Sequence, residues 1–133
     1  MARYLAIIDE ADGMFGVRFP DAPGCVSMGE TEDAAIDNAT EALAEWAGDV
    51  LAEGRDLPRA SSLGELQRIG AYVPGDGVVA HVPLLLETGR PARANISLDA
   101  GLLANIDEAA ARRGVTRSAF LAAAARDKIK AGA

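Results

Sequence analysis

An α+β chain in two parts is what this sequence predicts, and three observations predict it. Short strand-like runs fill the first thirty residues, a long segment with helical spacing follows, and near residue 90 the charge changes sign ahead of one more strand-like run and two helical ones. At 133 residues the chain has room for one ordinary domain or two small ones, which excludes a large multi-domain enzyme. Half the residues are apolar and a quarter charged, so a chain disordered throughout is excluded as well. The single Cys25 allows no intrachain disulfide, the start has no basic segment leading into an apolar run, and no stretch is apolar over the roughly 20 residues of a membrane span. A soluble, cytoplasmic protein with no membrane partner is expected.

Tyr4-Leu5-Ala6-Ile7-Ile8 is the first strand, ending in the polar stretch Asp9 to Gly13, where Asp12-Gly13 is a hairpin turn signal. Met14 to Phe19 resumes with partial alternation as the second strand. Two prolines take Pro20-Asp21-Ala22-Pro23-Gly24 out of the sheet, and Cys25 to Met28 returns as the third strand. Thr31 is placed to cap a helix whose positive end suits Glu30, Glu32 and Asp33, and Ile36, Ala39, Leu43, Trp46, Ala47 and Val50 recur on one face of it. Gly54 stops it. Ser62-Leu63-Gly64-Glu65 has the spacing of a capping box for a short helix at about 63–68, and Val78 to Leu84 reads as a last strand that Pro83 confines to an edge. The first part is a small β-β-β-α-β layer.

Phe19-Pro20-Asp21-Ala22-Pro23-Gly24-Cys25, followed by Gly29-Glu30-Thr31 and a helix with Glu41-Ala42-Leu43 and Trp46, resembles the HicB-like antitoxin family from about Tyr4 to Leu66. The resemblance implies a partial ribonuclease H-like fold over residues 1–86 that binds and blocks a small toxin ribonuclease of the HicA-like kind. It names no toxin-contacting residue in this sequence.

Charge supplies an independent argument. Residues 1–89 hold five arginines and no lysine against 16 acids, a balance of −11, whereas residues 90–133 hold six arginines and two lysines against four acids, a balance of +4. The overall charge of −7 would argue against nucleic acid as a partner. Fields act locally, however, so the asymmetry suggests one cationic and one anionic partner, with residues 87–91 as the linker between domains.

Beyond the linker, Arg93-Ala94-Asn95-Ile96-Ser97-Leu98 alternates with period two. Asp99 is placed to cap a helix striped by Leu103, Ile106 and Ala110; Gly114 closes it, and Thr116 or Ser118 caps a second helix carrying Phe120, Leu121 and Ala124. A unit this small with one strand leaves backbone donors and acceptors unmatched, so it needs a second copy of itself. The order resembles a ribbon-helix-helix domain over residues 92–133. Two chains would then pair strands into a ribbon that enters the major groove of double-stranded operator DNA, as a homodimer or a higher oligomer. Ala94, Ile96 and Leu98 fall on the dimer side, leaving Arg93, Asn95 and Ser97 toward the bases, where Arg suits guanine and Asn adenine. Ser97 departs from the resemblance in being short. Thr116, Arg117 and Ser118, at a helix start, offer amides, hydroxyls and a cation to a phosphate.

Three further residues invite a catalytic or metal reading and are set aside. Asp9 resembles the first metal carboxylate of a ribonuclease H-like site, but only Glu10 and Asp12 cluster with it, in a stretch read as a turn. His81 and Cys25 are too few for a metal site, His81 being read as a partly buried strand residue and Cys25 as a small apolar one. No catalysis and no cofactor are expected. The reading is an antitoxin that neutralises a toxin ribonuclease and represses its own operon. The alternative is a stand-alone ribbon-helix-helix regulator with a ligand-sensing or vestigial first domain, and a neighbouring open reading frame for a small basic protein separates the two.

Overall fold

The computed structural model describes residues 2–132, which form two compact units, one ending at Thr88 and the other beginning at Gly89. The first contains β1 (Arg3–Ala11), β2 (Met14–Arg18), β3 (Val26–Gly29), α1 (Glu32–Ala52), α2 (Leu63–Arg68) and β4 (Val78–Pro83). The strands form one antiparallel sheet in the order β3-β2-β1-β4. β4 lies at an edge, as Pro83 requires.

Asp12 and Gly13 form the hairpin turn with φ of 54° and 76°, the left-handed pair that a two-residue connection between twisted strands demands. One expectation is corrected here. β1 does not end at Ile8 but runs on to Ala11, because the ladder continues through Asp9↔Gly16, Glu10↔Phe15 and Ala11↔Met14. Main-chain pairing does not require apolar side chains, and at the open end of a hairpin polar ones stay wet.

α1 lies on one face of this sheet. Thr31 caps it, its hydroxyl accepting from the Ala34 amide at 3.0 Å, and Ala35, Ala39, Leu43, Ala47 and Val50 are buried along one side. Ala35, Ala39 and Leu43 share a core with Tyr4, Ala6, Ile8, Val17 and Phe19, against which Ile36 and Trp46 pack half-buried. Thr40, buried beside them, donates its hydroxyl to the Ile36 carbonyl at 2.9 Å, so no polar group is stranded. Gly29 permits the close start of the helix: a β-carbon there would stand 2.5 Å from the Ala35 nitrogen.

The second unit holds α3 (Ala100–Arg112) and α4 (Arg117–Lys130). Asp99 caps α3 by accepting from the Leu102 amide at 3.0 Å, Thr116 caps α4 by accepting from the Ala119 amide at 3.1 Å, and Gly114 turns between them at φ 67°. Ile106 and Ala110 are buried and Leu103 half-buried, as the stripe on α3 predicts. On α4, Phe120 and Leu121 are half-buried but Ala124 is exposed. The half-buried line instead continues through Ala122, Arg126 and Ile129, at i, i+4 and i+7. Residues 92–99 form no strand, since a ladder needs a partner strand and this unit contains none.

Candidate functional site

The residues expected to read DNA fall into two groups. Arg93, Asn95 and Ser97 are exposed on the segment before α3, and so are the apolar residues that alternate with them, Ile96 at 63% and Leu98 at 37%. Large apolar side chains left uncovered at alternate positions mark a surface awaiting a partner.

The other group sits at the start of α4, where geometry redistributes the expected roles. The Thr116 hydroxyl serves its own helix as the cap. Arg117 is not extended toward solvent but clasps Asp107 of α3 through Nε and Nη2 at 2.8 and 2.7 Å. That bidentate pair holds the Asp107 carboxyl below the usual carboxylate range, chiefly through the hydrogen bond, and pushes the guanidinium up. Arg113 covers the Phe120 ring, 5.6 Å from its centroid. The amides of Arg117 and Ser118, with the Ser118 hydroxyl, are the groups this end leaves for an anion, since neither amide has a carbonyl four residues back within the helix.

In the first unit, the Phe19 to Cys25 motif has an architectural task. Phe19 and Cys25 are buried, and the turn closes through Ala22 N–H to Phe19 O at 3.1 Å and Cys25 N–H to Ala22 O at 3.0 Å. Asp21 accepts from the Ser61 amide at 2.7 Å and the Ser61 hydroxyl at 2.8 Å, and the Pro23 carbonyl accepts from Trp46 Nε1 at 3.2 Å. One turn therefore ties α1 and the 58–62 loop to the sheet, with Tyr4 reinforcing it by donating its hydroxyl to the Pro58 carbonyl. Burial, and then the Asp21 charge, raise the Tyr4 pKa; burial raises that of the Cys25 thiol, which holds it in the inert protonated form.

Asp9 and Glu10 share a cleft with Glu32 and Asp76, yet among the described residues no group of three or more His, Cys, Asp or Glu is placed to hold a metal ion. His81 is exposed rather than partly buried: β4 alternates, Val82 facing the core and His81 the other side. No helix among the described residues is long and apolar enough to cross a membrane.

A further surface was not singled out from sequence. On the sheet face away from α1, Asp9, Gly16 and Met28 form one cross-strand row and Ile7, Arg18 and Val26 the next. Leu5 and Ile7 are covered there, whereas Val26 and Met28 are 66% and 61% exposed around a hollow of about 460 Å³. Val26 and Met28, two apart on a short strand, were the available signal.

Residues 4–125 match the family described as HicB_like antitoxin of bacterial toxin-antitoxin system. The crystal structure of the Burkholderia pseudomallei antitoxin HicB is similar at a TM-score of 0.57 and 36% identity, covering 94% of this chain and 96% of that one. The N-terminal domain of that antitoxin, solved alone, is similar at 0.55 and 32% identity over 64% of this chain and 100% of its own. A 14.9 kDa protein of uncharacterized role from the rep-hol intergenic region of Haemophilus phage HP1 is 30% identical over 105 residues, 79% of each chain.

Proposed function

The chain belongs to the HicB-like antitoxin family of bacterial toxin–antitoxin systems, and from that premise we propose that its first unit binds and neutralises a small, basic, HicA-like toxin ribonuclease while its second represses the operon by binding operator DNA. The observation that carries the reading is the coincidence of a charge break with a structural one. The acidic stretch is a self-contained sheet-and-helix unit, and the basic stretch is a separate pair of helices behind an extended segment. An excess of eleven negative charges suits a basic, RNA-cleaving partner, and a local excess of four positive charges suits a polyanion.

In the second unit, the segment at 93–98 pairs with its counterpart from another copy. Ala94, Ile96 and Leu98 then become core, and Arg93, Asn95 and Ser97 face the bases. Support comes from the alternation and from the uncovered Ile96 and Leu98. The α4 amides of Arg117 and Ser118 fix the register on phosphate, and the Arg117 side chain serves chiefly to hold α4 against α3.

The test is co-expression with a HicA-like toxin, a small basic protein of roughly 60 to 80 residues as a single-core domain, sought in a reading frame beside this gene. Relief of that protein's growth arrest is the expected result, together with a gel shift of promoter DNA. Growth arrest that persists at equal expression overturns the toxin-binding half; a promoter bound no better than random DNA overturns the repressor half.

A further inference from the structure

From the uncovered face of β2 and β3 we infer the toxin contact itself: the hollow at Gly16, walled by Val26, Met28 and Asp9, receives a cationic side chain of the basic partner. This rests on the toxin-binding reading above.

Three observations lead there. The hollow exists because Gly16 has no side chain in the middle of a cross-strand row, between Asp9 on β1 and Met28 on β3. A β-carbon on Gly16 would stand 2.9 Å from Asp9 Oδ1, so the carboxylate leans over the vacancy. Among the described residues, the Asp9 carboxylate has no hydrogen-bond or ion-pair partner, whereas Arg18, which also lines the hollow, pairs with Asp76 at 3.8 Å. The site therefore offers an apolar wall and a rim on which the acid is unpaired while the cation, Arg18, has an acidic partner of its own. Lys and Arg side chains match such a site, with an apolar stem and a charged head, and Arg is among the residues enriched at the anchors that carry most binding energy at interfaces.

Charge decides which occupant it is. A second copy would bring the same face, and with it another unit of balance −11, against the first. Like potentials oppose that pairing and favour a basic protein. Exposed Met and Val on a short strand, with the opposite face of the sheet already covered by α1, also leave this face as the apolar surface open to a macromolecule.

The experiment titrates the full-length chain with a small basic HicA-like toxin, by calorimetry at two salt concentrations. Asp9→Lys and Met28→Asp each weaken binding by about 100-fold, the loss expected of an anchor pocket, and Asp9→Lys also flattens the salt dependence. The double change Glu41→Lys, Glu45→Lys on the exposed side of α1 has twice the effect of Asp9→Lys on net charge and weakens binding only a few-fold. Both test positions are exposed, so circular dichroism and promoter binding stay as in the parent. Should Met28→Asp misfold, Asp9→Lys still decides. If the parent binds and the two variants bind equally well, the hollow is not the contact, although the toxin-binding reading stands. If Met28→Asp instead lowers the oligomeric state with toxin affinity unchanged, the face belongs to a second copy and the inference fails. A parent that does not bind at micromolar concentration overturns the reading on which it rests.

Discussion

The two units differ in whether an extended, alternating segment finds a partner within the unit. In the first, β1 finds β2 on one side and β4 on the other within the same unit, and α1 covers the result. Sixteen apolar side chains are buried there among the described residues, against two, Ile106 and Ala110, in the second. Composition does not explain the difference, because residues 92–99 carry apolar residues at alternate positions just as a strand should. The first unit contains its own ladder; on the reading proposed above, the second would supply half of one that another copy completes.

That contrast breaks first under dilution. Separate chains of residues 2–88 and 89–133 should behave oppositely: the first melts cooperatively at a temperature independent of concentration, while the second loses most of its helical circular dichroism between about 100 and about 1 μM. A second unit that stays helical and monomeric would remove the distinction. Next in size is the loss of base readout. Arg93→Ala with Asn95→Ala should cost promoter binding about 2 to 6 kcal/mol and leave non-specific, salt-sensitive binding and toxin neutralisation intact, as gel shifts at two salt concentrations would report.

Core truncations sharpen the same comparison. Leu43→Ala, at a fully buried position, should destabilise the first unit by about 3 to 5 kcal/mol, read in urea, without altering oligomeric state. Ile106→Ala or Phe120→Ala should cost about 2 to 5 kcal/mol and, on the proposed pairing, appear instead as dissociation by light scattering, since folding and association would be one process there. The smallest effect is at the Arg117–Asp107 clasp, whose partners are about half exposed. Because the Asp107 carboxyl is held below its usual range, the clasp stabilises above that range and is lost as pH falls through the lowered value. Melts of the parent and Asp107→Asn should therefore differ slightly at neutral pH and converge in acid, and added salt should narrow the gap.

Local signals carried most of the fold. Asp12-Gly13 gave the hairpin, Thr31, Ser62, Asp99 and Thr116 gave the helix starts, and Pro83 gave the edge, because each acts through its own backbone. Extent was harder to read. The outer residues of β1 are held by pairing with a segment that begins at Met14, which apolar run length does not register. Long-range polar contacts were hidden for the same reason: nothing near Asp21 in sequence announces Ser61, forty residues on. His81 was misplaced because burial on an edge strand depends on what covers each face. The clasp of Arg117 could have been suspected only by setting two helices side by side.

Asn38, on α1, donates its side-chain amide to the Met28 carbonyl at 2.9 Å, and β3 is an outermost strand; at the opposite margin, β4 ends in Pro83, which has no N–H to give. Both margins of the sheet are thus partly blunted against a further strand. On the pairing proposed above this matters more, because each assembled particle would carry several such sheets at high local concentration, where an open margin would template its neighbours and grow into a fibril. Asn38 and Pro83 each withdraw from such growth one main-chain group that it would need.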